Sequence, residues 1–159
     1  MSTTTCLIIM AVCLILSAYF SATETAFSSA NTTRLKTLAE KGNKKAALVC
    51  KLLEQYDRLL STILIGNNIV NIATASIGTV LFVKHYGDAG ASISTVVVTV
   101  VVLIFGEISP KSIAKDCAET CAMLSAPMLQ VLIWVFTPLN ALFSLEKTAD
   151  QGLPPPLRQ

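Results

Sequence analysis

Charge is what this chain most lacks. Asp, Glu, Lys and Arg make up 14% of its 159 residues, where a soluble domain carries about a quarter. The shortage is concentrated, because none of the four occurs in 1–23, 59–83, 89–106 or 120–145. About 20 apolar residues cross about 30 Å of hydrocarbon. Three of these windows reach that length, and 89–106 reaches it if its helix continues past Glu107. With a mean hydropathy of +0.64, a water-facing fold is excluded and lipid is the solvent. The expectation is one compact integral membrane unit, too short to carry a separate soluble domain.

Other absences narrow the chemistry. Histidine occurs once, as His85, and no nucleophile–base pair is evident, so an enzyme is not expected. The five cysteines (Cys6, Cys13, Cys50, Cys117, Cys121) are odd in number and lie mostly inside or beside apolar windows. Cys117 and Cys121 have helical spacing, but neither has the His or further Cys that a zinc site requires. They read as reduced packing residues. No basic residue precedes the first apolar run, which therefore reads as a retained span and not as a cleaved leader.

The charges that are present set an orientation. Seven of the twelve Lys and Arg (Arg34, Lys36, Lys41, Lys44, Lys45, Lys51, Arg58) stand between the first and second windows. Positive charge stays inside, so this connection is expected in the cytoplasm and the N-terminus outside. The short, nearly balanced "KHYGDAG" is then the external turn, and Lys111 and Lys115 return the third span to the inner face of the cell membrane.

The basic connection has its own pattern. Leu35 and Leu38 belong to a short helix that Gly42 can end, and Leu48, Leu52, Tyr56, Leu59 and Ile63 recur at three-to-four-residue spacing. That predicts an amphipathic helix running straight into the second span, hence a cytoplasmic helical hairpin. The fourth window is cut by Pro127 and Pro138 and interrupted by Gln130 and Asn140. A belt along the inner interface is favoured over a crossing, with Trp134 at the headgroup boundary. The tail 147–159 lacks periodicity and is expected to be disordered.

Inside this hydrocarbon, a few polar residues stand out. On the second span, Asn67 and Asn71 lie about 40° apart, with Asn68 about 60° from Asn71 on the other side. Carboxamides in lipid need partners, whether in helix packing or around a lined cavity. On the first span Ser17, Ser21 and Glu24 fall within about 60°. The serines also fit small-residue packing, and Glu24 fits a solvated or cap-like role at the inner boundary.

The third span carries "LIFGEISPKSIAK". Pro110 has no N–H, so it cannot bond the carbonyl of Gly106, and Glu107 stands beside that carbonyl. A mid-span charge costs about 3 kcal/mol even on lenient scales. Two readings follow: a carboxylate and a released carbonyl aimed into the bundle, or an ion pair between Glu107 and Lys111 one turn on. The available ligands are hydroxyl, carboxamide, carbonyl and a single carboxylate. That all-oxygen set suits Mg²⁺, Ca²⁺ or Na⁺ and argues against zinc, copper or iron.

"FSATETAFSSAN", "LIGNNIVNI" and "FGEISPK", in this order over 7–143, resemble the membrane domain of the CorC/cyclin M (CNNM) family of Mg²⁺ transport proteins. The resemblance implies an all-α membrane domain over 1–146, with three transmembrane helices, a cytoplasmic helical hairpin and a Pro-interrupted juxtamembrane belt helix. It implies a homodimer with an inward-opening cavity, and Mg²⁺ export coupled to Na⁺ entry. The ligand set it implies is Ser21, Asn71 and Glu107, with Ser17, Asn68 and Gly106 beside them and Pro110 and Asn67 in support. ATP would act only through a regulatory nucleotide-binding module that these residues do not include, and no nucleic-acid partner is expected. A non-transporting Mg²⁺-binding scaffold or sensor is the alternative.

Overall fold

The computed structural model describes residues 2–137. Helix α1, Thr3–Ser29, opens on Ser2, whose hydroxyl accepts the Thr5 N–H at 3.1 Å. At 1.5 Å per residue its 27 residues reach about 40 Å, more than a hydrocarbon core needs. Asn31 caps α2, Thr32–Glu40, and Asn43 caps α3, Lys44–Leu53, each side chain accepting backbone N–H groups that the first helical turn leaves unpaired. Between them Gly42 takes φ +89°, the left-handed turn that glycine makes without strain. The expected hairpin is present.

Its exit differs from expectation. The chain breaks at Glu54 and Gln55 before α4, Tyr56–Tyr86, begins. A straight helix would have carried Ala46, Val49 and Leu52 along the axis of the span. With the break, all three are buried against neighbours that include Ala122, Ala126 and Leu129.

Helix α4 ends at Gly87, φ +62°, where a short 3₁₀ turn, Gly87–Ala89, reverses the chain into α5, Gly90–Val101. A Cβ on Gly90 would lie 2.5 Å from the backbone of Phe82, so only glycine allows the two helices to close this tightly. The third span continues through a π-helical segment, Val102–Ile108, into α6, Ser109–Asp116. After a break at Cys117, α7 runs Ala118–Val135.

Pro127 does not cut α7; it sits inside it. An interior proline costs about 3 kcal/mol, but Ala122, Ala126 and Leu129 on its buried face are all fully enclosed and hold both halves in line. That face meets α1 and α3. Tyr19 donates to the Ser125 carbonyl at 3.1 Å, and Arg58 to Thr137 at 2.7 Å. By length and composition α7 could also cross a membrane; it packs on α3 of the basic hairpin and on α1. Pro138, Asn140 and the expected tail 147–159 lie outside the described residues.

The buried core gathers where the end of α1, the hairpin, the start of α4, α6 and α7 meet, around Phe27, Leu35, Leu59, Ile63 and Leu129. Elsewhere the surface is apolar: Ile15, Ile72, Val80, Val96, Ile108, Leu124 and Trp134 are among the exposed large side chains. The described residues are helical without strands, and the molecule is an all-α membrane protein.

Candidate cation site

Three helices bring their polar residues to one level. From α1, the Ser17 hydroxyl donates to Asn71 Oδ1 on α4 at 2.7 Å and lies 3.3 Å from Asn67 Oδ1. The Asn71 amide then donates to Glu107 Oε1 on the π segment at 3.3 Å. Ser17 is fully buried, and Gly106 is pressed against it, since a Cβ there would stand 2.9 Å from Ser17 Oγ. The hydroxyl points its hydrogen at Asn71 Oδ1, which leaves its oxygen lone pairs available. The carboxylate keeps Oε2. Oxygen lone pairs from three elements therefore converge.

Ser21, one turn along α1, is fully buried, and its hydroxyl has no hydrogen-bond partner. Leaving such a group unsatisfied costs about 1–3 kcal/mol. A cation, or a water carried on one, would satisfy it. Asn68 is exposed and does not join the others. Of the expected set, the structure assembles Ser17, Asn67, Asn71, Gly106 and Glu107, buries Ser21 beside them, and leaves Asn68 outside. Asn68 faces away because Val70 and Gly66 take the buried side of α4, Gly66 receiving the ring of Phe20.

The pairing of Glu107 with Lys111 is not what forms. Lys111 Nζ reaches Glu24 Oε2 at 3.2 Å. Among the described residues no cationic side chain forms a salt bridge with Glu107. The π-turn and Pro110 separate the two residues and direct Lys111 to the face packed on α1, which also gives Glu24 its role.

Pro110 does more than release Gly106. In the π segment the Ser109 N–H bonds Ile104, five residues back. Phe105 has thereby lost its α-type donor, and its π-type donor would be Pro110, which has no hydrogen. The carbonyl of Phe105 is thus deprived of both helical donors, and that of Gly106 of its α-type donor, directly before Glu107. The widened turn gave no periodic signal in the sequence; the Gly-Glu-x-x-Pro spacing was its only trace.

Beside the site, a cavity of about 290 Å³ lies between α4 and α5, lined by Asn71, Thr79, Ser94, Thr95, Thr99 and Glu107 among others. These hydroxyls escaped the sequence reading because "ASISTVVVTVVV" reads as apolar filler with small residues. Their spacing at 95 and 99, one helical turn, was the available signal. Among the described residues no cluster of three or more His, Cys, Asp or Glu occurs, so a cation here would be held by neutral oxygens and one carboxylate.

Residues 8–149 match the family model of the cyclin M transmembrane N-terminal domain, CNNM. The chain is 48% identical over 141 residues to a UPF0053 protein of Haemophilus influenzae, covering 89% of this chain and 34% of that one. It is 46% identical over 124 residues to the UPF0053 inner membrane protein YfjD of Escherichia coli, covering 78% and 29%. A chloroplastic DUF21 domain-containing protein of Arabidopsis thaliana is 38% identical over 117 residues, covering 74% and 18%. The chain spans about a third or less of the length of these relatives. It belongs to the CNNM transmembrane-domain family.

Proposed function

We propose that this domain carries Mg²⁺ across the plasma membrane through the Ser17–Asn71–Glu107 cage, exporting it against entering Na⁺. The observation that carries this reading is a carboxylate bonded to an amide, with its nearest lysine committed to Glu24 instead. Glu107 supplies charge; Ser17, Asn71 and the carbonyls before Glu107 replace water. Mg²⁺ demands near-octahedral oxygen and sheds water reluctantly, so a cage of several neutral oxygens lowers the cost of partial dehydration. One carboxylate neutralises half of its charge, which leaves the ion releasable. Na⁺ would be neutralised fully at the same place, giving the exchange a shared site.

In this reading the domain works as a homodimer in the cell membrane, with the N-terminus outside and the basic hairpin and C-terminus cytoplasmic. Any response to ATP would come from a module beyond these residues, and no covalent catalysis is involved. The test is Mg²⁺ flux from reconstituted vesicles with and without a Na⁺ gradient. Glu107→Gln should abolish flux; full flux in that variant would refute the cage. Flux indifferent to Na⁺ would remove the exchange and keep the Mg²⁺ path. The thin charge of the site equally suits a sensor that regulates another channel. Ion binding with no flux above empty vesicles would establish that second reading.

A further inference from the structure

The cation site leaves the cysteines unused, and two of the five stand together. Cys117 Sγ lies 3.1 Å from Cys121 Sγ. The Cys117 thiol also donates to the Ile113 carbonyl at 3.3 Å. With its one hydrogen spent there, Cys117 accepts from the Cys121 thiol. Its sulfur therefore touches the end of α6 on one side and the first turn of α7 on the other.

The backbone accounts for the contact. Helix α6 ends at Asp116 and α7 starts at Ala118, and Cys117 between them takes φ −131°, ψ +43°, outside the helical region. Its carbonyl still accepts the Cys121 N–H at 3.0 Å, which holds the two residues one turn apart. Four residues at 1.5 Å each place their Cα atoms about 6 Å apart, within the span of about 4.4–6.8 Å that disulfides use. In a continuous helix the two Cα–Cβ bonds would point the same way and the sulfurs would meet poorly. The break at Cys117 removes that constraint.

The joint also stands among charged residues. Lys115 and Asp116, both exposed, precede it. Glu119, which lies 3.8 Å from Arg34 of the basic hairpin, follows it. Both cysteines are free and half-buried, so a reagent dissolved in water reaches the pair.

We propose that Cys117 and Cys121 are a reversible dithiol–disulfide pair, oxidised by a low-molecular-weight disulfide such as oxidised glutathione, and that oxidation loosens the end of α6. The Cys117 thiolate attacks one sulfur of the reagent and expels a first thiolate. The Cys121 thiolate then attacks the Cys117 sulfur and expels the second. One S–S bond breaks and one forms. The two thiol hydrogens leave as protons to the expelled thiolates, and the two electrons reduce the reagent. Cys117 then has no hydrogen to give, so the Ile113 carbonyl loses that donor. The cytoplasmic placement proposed above keeps the pair reduced at rest, and disulfides in that compartment are usually transient and redox-sensing. The inference is independent of which ion the cage carries.

The experiment equilibrates the purified chain in glutathione buffers from fully reduced to fully oxidised, blocks the remaining thiols with N-ethylmaleimide and reads the peptides by mass. Cys117 and Cys121 should together lose two hydrogens and take no label. Their oxidised fraction should be at least tenfold that of half-buried Cys50, and reduced glutathione should restore both thiols. In Cys117→Ser, whose hydroxyl can still donate to Ile113, the two-hydrogen loss should vanish. Labelling of the pair equal to that of Cys50 in oxidised buffer would overturn the proposal. So would glutathione retained on one sulfur alone, or a bridge between two copies of the chain.

Hydrogen exchange then reads the joint. Backbone amides over 113–117 should exchange at least threefold faster in the oxidised chain than in the reduced one. Unchanged or slower exchange would overturn the loosening of α6.

Discussion

Asn71 spends both ends of its carboxamide, its oxygen on Ser17 and its nitrogen on Glu107. Asn71→Ala would break the link between α1 and the π segment and leave the carboxylate without a donor. Flux should fall at least tenfold, and Mg²⁺-dependent thermal stabilisation should shrink with it. A variant that keeps both would show that the amide only packs. Gly106→Ala offers a finer probe. Its new Cβ would stand 2.9 Å from Ser17 Oγ, so Ser17 must move and Mg²⁺ affinity should drop while the helices stay assembled, as read by circular dichroism.

Lys111 separates the two accounts of the carboxylate. Its bond to Glu24 is partly exposed on both sides, 42% and 30%, so water screens it and its loss should cost well under about 1 kcal/mol. Lys111→Gln should therefore leave Mg²⁺ affinity within threefold. A lysine paired with Glu107 would behave otherwise, because removing it would free the carboxylate and raise affinity sharply.

At the scale of the element, the third span is a helix deliberately interrupted at one place. Pro110→Ala restores an N–H that can take the carbonyl of Gly106 in an α register or that of Phe105 in the π register. The helix should become more stable and the site poorer in oxygen. The expected result is a higher thermal midpoint with lower flux. A rise in both would mean that the π-turn is unconnected with the ion. In α7 the same substitution has no such trade. Pro127→Ala should stabilise by up to about 3 kcal/mol with flux unchanged, since Pro127 is remote in role from the cage.

These two prolines also mark what sequence reading could and could not do. Pro110 next to Gly-Glu in an uncharged run pointed to a freed carbonyl, because a missing N–H is a covalent fact. Which register the chain would take around it depended on packing against Ser17 and was not legible. Pro127 gave a wrong expectation: the rule that proline ends helices competes with burial, and fully enclosed Ala122, Ala126 and Leu129 decided for continuity. Likewise the even spacing from Leu48 to Ile63 looked like one helix, yet burying both α3 and α4 required a break at Glu54 and Gln55.

For the whole molecule, the uneven distribution of burial is the main physical feature. The described core lies at the basic end, whereas α4 and α5 expose Ile72, Val80, Val96 and Val100 over much of their length. Lipid covers such surface without penalty, and a second copy in the proposed homodimer would cover part of it.

The sequence alone determined the solvent and where the apolar windows lie, and it set the expectation of an all-oxygen site, because uncharged runs, basic clusters and the scarcity of histidine are properties of composition and order. It also placed Asn67, Asn71, Glu107 and Pro110 among the candidates, since polar groups in hydrocarbon cannot be incidental. Tertiary structure decided which of them meet: Asn71 rather than Asn68 at Glu107, Ser17 rather than Ser21 at Asn71, and Lys111 at Glu24 rather than at Glu107. Such choices depend on helix rotation and on one widened turn, and both are settled only when three helices pack together.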